Sequence, residues 1–253
     1  MMFSNKKSCL IVVAENTCLK NNILAQHGVS FWIKYFGKNY LFDTAQIFEW
    51  LEHNFKELKL KPEKLDWIII SHDHYDHVHA LPKFIEKYKT KNIYVPKGFK
   101  SFKNENIIKV NDYIEIEKWF FLTWAMNWWN TKEQSVILDF WEDWIMVIVW
   151  CSHPWIITII EKAIEITWNN KIMWIIGWLH LVESNKEEIV KVIEELKKID
   201  IDFIVPGHCT WNEAVNMLKE KMPNKIKSSL MWSIWAGNSV EFKPKLKFHI
   251  DEW

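Results

Sequence analysis

Ser71-His72-Asp73-His74-Tyr75-Asp76-His77 sets three histidines and two aspartates in seven consecutive residues. The run before it, Trp67-Ile68-Ile69-Ile70, is apolar and reads as a buried strand. Leu81 to Lys89 reads as a helix. The cluster therefore falls at the carboxyl end of a strand, where open α/β sheets place their sites. Residues two apart in extended chain point the same way, so His72 and His74 can converge on one metal ion. Asp76 and His77 follow where the chain turns, and can face a second ion. Imidazole with carboxylate suits zinc, iron or manganese better than calcium. The plain alternative is a surface loop rich in histidine. Four ligand-type residues on one template, with partners later in the chain, argue against it.

His72-x-His74-x-Asp76-His77 resembles the signature of the metallo-β-lactamase-fold superfamily. The resemblance implies a four-layer αββα sandwich, an α/β (α+β) fold, as one domain spanning residues 1–253. Strand–helix units in both halves and the lack of a Gly/Ser linker agree with one domain. The resemblance also implies two divalent metal ions, zinc foremost, with iron, manganese or magnesium as alternatives. His72, His74 and His153 would hold the first ion. Asp76, His77 and His208 would hold the second, and Asp76 would also orient a metal-bound hydroxide. His153 follows the apolar strand 144–149 in Trp150-Cys151-Ser152-His153-Pro154. His208 follows strand 201–205 in Pro206-Gly207-His208-Cys209-Thr210. Many members carry a bridging Asp near the end of the strand that corresponds to 171–177. Here Gly177-Trp178-Leu179-His180-Leu181 offers His180, as a ligand or a substrate contact. Cys151 and Cys209 read as buried thiols.

Asp43-Thr44-Ala45-Gln46 takes the place of the superfamily's Asp-Thr-Gly-type turn beneath the metal loop. Asp43 either hydrogen-bonds a metal-binding histidine or caps a helix over 45–55. Glu15-Asn16-Thr17, His27-Gly28-Val29-Ser30 and Phe121-Leu122-Thr123-Trp124 resemble one branch of the superfamily. That branch includes archaeal dihydropterin-(ribofuranosyl)aminobenzene-phosphate synthases and many bacterial proteins. In this resemblance Asn16 and His27 face the active-site cleft, whereas a lone loop histidine is otherwise structural. Val78-His79-Ala80 departs from the Thr-Gly-Gly expected after His77.

The chain has 253 residues, 49% of them hydrophobic, with 32 basic and 32 acidic side chains. A sizeable core is available, and charge alone gives no reason to expect nucleic acid or a membrane as partner. No apolar run reaches the ~18 residues of a membrane span. The cysteines at 9, 18, 151 and 209 are scattered, which points to a reducing cytoplasm rather than a disulfide framework. Residues 8–14 read as a strand, and 30–43 as a hairpin turning at Gly37-Lys38-Asn39. A strand at 92–95, helices at 156–167 and 185–198, and a helix and a last strand (239–242) after 212 complete the pattern. Residues 97–118 read as a short helix and a strand, and 120–130 as a loop.

The composition holds 18 Trp and only 6 Gly. Ordinary usage of ~7% would give about 18 glycines in this length. Trp150, Trp155, Trp178 and Trp211 adjoin the candidate ligand segments. Trp124, Trp128, Trp129 and Trp168 sit in turns or after a helix, where glycine is usual. A UGA codon read as glycine in the organism, but translated as Trp, would give this pattern. The alternative is a genuinely Trp-rich protein.

These features favour a metal-dependent hydrolase of a small-molecule substrate. The branch resemblance offers a transferase as the second reading, condensing a dihydropterin diphosphate with a ribofuranosyl-aminobenzene phosphate. A non-catalytic metal-binding module is the third, and the full ligand set weighs against it. His74 stands where redox diiron relatives carry Glu.

Overall fold

A computed structural model describes residues 8–18, 20–90, 92–140, 143–227, 239–243 and 246–251. Its contacts divide the chain into two compact units, Met1–Lys109 with Trp235–Trp253, and Val110–Ile234.

In the first unit the chain runs β1 (Ser8–Ala14), β2 (Ser30–Tyr35), β3 (Lys38–Phe42), α1 (Phe48–Glu57), β4 (Trp67–Ile69), α2 (Tyr75–Val78), α3 (Leu81–Tyr88), β5 (Ile93–Pro96) and β6 (Ile107–Val110). β2 and β3 pair antiparallel with Tyr35 opposite Lys38, so the turn is Phe36-Gly37. Lys38 and Asn39, expected in that turn, belong to the strand. β3, β4 and β5 then run parallel, with Phe42 opposite Ile69. That register brings the residues after β3 beside those after β4, and the histidine cluster leaves at that edge. α1 buries Phe48, Leu51 and Phe55, spaced at helical intervals, and α3 buries Leu81, Phe84 and Ile85. Their rings pack edge to face, Phe55 with Phe84 at 6.0 Å and Trp32 of β2 with Phe55 at 5.9 Å. Each such side chain, taken wholly out of water, contributes roughly 1.5–3 kcal/mol before entropy is counted.

The second unit holds β7 (Ile114–Glu117), β8 (Phe120–Leu122), β9 (Met126–Trp128), β10 (Thr131–Glu133), β11 (Val136–Asp139), β12 (Ile145–Ile148), α4 (Ile156–Thr167), β13 (Ile172–Gly177), α5 (Lys186–Lys197), β14 (Ile201–Pro206) and α6 (Asn212–Lys221). Its six-stranded sheet has the order β14-β13-β12-β11-β8-β7. β12, β13 and β14 are parallel, with Ile148 opposite Ile176 and Gly177 opposite Pro206. Their carboxyl ends thus emerge along one edge, carrying Cys151 to His153, His180, and His208 with Cys209. The apolar face of α4 (Ile156, Ile159, Ile160, Ala163) and that of α5 (Ile189, Val192, Ile193, Leu196) join the same core as these strands. α5 begins with a reciprocal cap in which Asn185 and Glu188 bond each other's backbone. The last strands, β15 (Ser239–Lys243) and β16 (Leu246–Asp251), return to the first sheet, β15 against β1.

Three further expectations are corrected. The strand at 239–242 is not the last, since β16 follows it. Residues 97–118 contain no helix; β6 and β7 occupy their second half. Residues 120–130 are not a loop, since β8 and β9 lie within them.

Among the described residues five tryptophans have left-handed backbone: Trp119 (φ 63), Trp129 (φ 47), Trp155 (φ 80), Trp168 (φ 56) and Trp211 (φ 65). Of the other positions singled out in the sequence, none of Trp124, Trp128, Trp150 and Trp178 shows a positive φ. Among the described residues no helix is long and apolar enough to cross a membrane.

Candidate metal-binding residues

In the first unit the candidate ligands are organised by Asp43. The β3–β4 register sets Asp43 beside Ser71, and its carboxylate accepts from Ser71 N–H (2.7 Å) and Ser71 O–H (2.5 Å). Ser71 Oγ is 2.8 Å from His72 Nδ1. Since the serine proton goes to Asp43, the oxygen accepts from His72. The same Asp43 oxygen lies 2.5 Å from His77 Nδ1. Asp43 therefore holds His77 directly and His72 through Ser71, each at Nδ1, which leaves Nε2 as the nitrogen each can offer a metal. His72 Nε2 faces His74 Nδ1 at 3.0 Å. His77 Nε2 lies 3.3 Å from Asp76 Oδ2. Asp43 thus bonds a candidate ligand, and it does not cap α1, whose cap is Ile47.

The surrounding loop is tied down from several sides. Thr44 N–H and O–H both donate to the His77 carbonyl, at 2.9 and 3.0 Å. Asp73 accepts from the backbone of Lys100 and Ser101. Asp76 and His77 lie in the single turn α2 rather than in open loop.

The charges follow from burial and pairing. Burial raises the Asp43 carboxyl to about 6, although His77 and Ser71 pull it down. Burial opposes charge on His77, but Asp43 and Asp76 outweigh it and raise the imidazole to about 10. Burial also opposes charge on Asp76; there the hydrogen bond and charge of His77 lead the opposing effects, and the carboxyl is held down to about 2. Asp76 is a carboxylate throughout the physiological range.

In the second unit, Glu133 plays the part that Asp43 plays in the first. It is wholly buried and accepts from Ser152 N–H, His153 N–H and His153 Nδ1, the last at 2.8 Å. His153 Nε2 is again the nitrogen left to offer. Nothing in the sequence around Glu133 marked it, because its partners lie about 20 residues away. His180 lies against His153 with the two rings tilted by 57° and their centroids 4.6 Å apart, and its backbone is left-handed at φ 49. A hydrogen bond with Cys209 raises the His180 imidazole above its ordinary range. Burial works against a thiolate at Cys209, but its bonds with Cys151 and His180 outweigh burial and lower it to about 6. The two cysteines that read as buried thiols, Cys151 buried and Cys209 partly so, thus form one cluster with His180. His208 lies in the turn His208–Thr210, and its side chain is outside the described residues.

These donors suit divalent cations. Imidazoles fixed by carboxylate or hydroxyl partners, together with an ionised carboxylate, form the outer-partnered arrangement typical of metal-ligating histidine.

The sequence profile described as the Metallo-beta-lactamase superfamily matches residues 29–145. A protein of Methanocaldococcus jannaschii named 7,8-dihydropterin-6-methyl-4-(β-D-ribofuranosyl)-aminobenzene-5'-phosphate synthase is 29% identical, over 86% of this chain and 90% of that protein. A solved metal-dependent hydrolase of the β-lactamase superfamily is similar with a TM-score of 0.73 at 23% identity, over 93% of this chain and 99% of that one. The metallo-β-lactamase fold protein YhfI from Bacillus subtilis gives 0.65 at 12%, over 94% and 100%. At these identities the two structural likenesses are likenesses of fold.

Proposed function

This chain belongs to the metallo-β-lactamase superfamily, and from that premise we propose that it is a metal-dependent hydrolase of a small-molecule substrate. The two units act as one domain over residues 1–253. His72, His74 and His153 hold one divalent ion, and Asp76, His77 and His208 hold a second. Zinc fits this donor set best, with iron, manganese or magnesium as alternatives. The observation that carries the proposal is the outer bonding of His72, His77 and His153, each held through Nδ1 by a hydroxyl or a carboxylate.

Bound there, divalent ions lower the pKa of water toward neutrality and polarise a carbonyl or phosphoryl oxygen. The protein's own groups do the rest. Asp43 and Glu133 set the tautomer and aim of the ligand rings. Asp76, ionised at neutral pH, accepts a hydrogen bond from the attacking water and aligns it. His180, held by Cys209, contacts the substrate from the second unit's strand edge.

A second reading is a transferase acting on a pterin diphosphate, favoured by the 29% identity to the archaeal synthase over 86% of this chain. Metal-loaded protein offered a pterin diphosphate and a ribofuranosyl-aminobenzene phosphate separates the two. Pyrophosphate release that requires the acceptor supports the transferase. Turnover of activated ester or phosphodiester substrates without an acceptor supports the hydrolase.

A further inference from the structure

We propose that His27 is a substrate contact, donating a hydrogen bond from Nε2 to a phosphoryl oxygen bound beside Asp76. Asn16 holds it in the donating tautomer. The inference deepens the function proposed above and rests on it.

Glu15 is buried, and its Oε2 accepts from both the N–H and the O–H of Thr17, each at 2.7 Å. That fixes the turn bearing Asn16. Asn16 Oδ1 then accepts from Gly28 N–H at 3.2 Å. The bond settles which way the amide faces, because only its oxygen can accept. Asn16 Nδ2 is therefore the atom that meets His27 Nδ1, at 3.5 Å. The amide nitrogen carries hydrogens and no acceptor, so Nδ1 accepts and the neutral ring carries its proton on Nε2.

Nε2 points at Asp76 Oδ2 from 3.7 Å. This is an ion-pair separation beyond hydrogen-bonding reach, whereas the 3.5 Å contact with Asn16 lies at the outer limit of that reach. A ligand oxygen can instead sit within bonding range of Nε2 alongside that carboxylate. The His27 side chain is 64% exposed, so the approach is open to solvent. The chain comes this close only because residue 28 is glycine. Gly28 has φ +99, and a Cβ there would lie 2.0 Å from the Asp76 carbonyl oxygen. Gln26 secures the same segment through both backbone groups of Ile47.

The oxygen that suits a neutral N–H donor next to a cation-binding carboxylate is one on an anionic group. A phosphoryl group presents several such oxygens; one would reach Nε2, leaving the others for the cation that Asp76 and His77 would hold.

The test titrates inorganic phosphate into metal-loaded, full-length protein by calorimetry, for wild type, His27→Ala and His27→Gln. Metal content is measured alongside. His27→Ala is expected to weaken phosphate binding by on the order of ten- to a hundred-fold with metal content unchanged. His27→Gln, whose amide can donate, recovers part of that loss. Long-range proton–nitrogen NMR of the wild type is expected to show the Nε2–H tautomer, and Asn16→Ala to shift it toward Nδ1–H. Three results would overturn the inference while leaving the proposed function standing: equal phosphate affinity in wild type and His27→Ala, no phosphate binding by loaded wild type, or an Nδ1–H tautomer in the wild type. Failure of wild type to take up metal would overturn both.

Discussion

The Asp43 carboxylate lies 2.5 Å from His77 Nδ1, with both side chains wholly buried. The same carboxylate takes both hydrogens of Ser71. One acidic group at the end of β3 therefore organises two rings of the cluster that follows β4. Asp43→Asn keeps the volume but cannot accept from serine and histidine alike. It is expected to weaken metal binding by about 10–100-fold. Competition with a chromophoric chelator measures this, and unchanged affinity would remove Asp43 from the account.

His77 gives a pH signature. Its folded value, about 10, stands above the ordinary 6.5. A raised value means that its contribution to stability is full below 6.5 and is lost as pH rises through about 10. Metal-free protein should thus melt at progressively lower temperature across that window. Metal binding at Nε2 expels the proton, so loaded protein should lack this decline, and binding should release protons at neutral pH. Melts of both forms, with calorimetry in buffers of different ionisation enthalpy, check it.

Glu133 serves the second unit. Glu133→Gln retains one acceptor oxygen where three donors converge. It is expected to destabilise the protein by about 1–3 kcal/mol and to lower metal affinity. Chemical denaturation and metal titration read the two effects separately.

The left-handed tryptophans carry a prediction about the gene. Trp155 and Trp211 precede α4 and α6 with φ 80, ψ 126 and φ 65, ψ 147, a region that a bulky side chain rarely enters. Trp129 opens the two-residue turn between β9 and β10 and is 90% exposed, while Trp168 ends α4 at 92% exposure. At about 1–2 kcal/mol each, five such residues would consume a large part of a domain's stability of about 5–15 kcal/mol. Glycine is therefore expected at these positions in the protein as its organism makes it, through UGA codons. Peptide mass spectrometry of the natural protein reads this directly. Trp155→Gly and Trp168→Gly should each raise the melting temperature; UGG codons in the gene would end the idea.

Apolar spacing made most of the second unit legible. Ile156, Ile159, Ile160 and Ala163 recur at helical intervals, and α4 covers the residues that spacing marked. The parallel strands read clearly because burial on both faces makes them continuously apolar. Residues 97–118 misled because a Lys- and Glu-rich stretch favours helix locally, whereas β6 is fixed by its place at the sheet edge and β7 by pairing with β8. Asp43, Ser71 and the histidines were visible as a cluster, but their bonding order was not, since it depends on the β3–β4 register. Glu133 and the Cys151–Cys209–His180 contacts were hidden for the same reason, arising between separate strands. The sequence resembled its branch at Asn16 and His27; the bond to Gly28 that orients them is visible only in three dimensions.

Two metal ions on the candidate ligands would be counted by elemental analysis of the purified protein. Wild type should carry about two divalent ions per chain. His208→Ala, run beside it, should fall toward about one, with the fold retained by circular dichroism. Well-folded wild type that binds no metal, even after addition of zinc, iron or manganese, would contradict the account and favour a binding module on this fold.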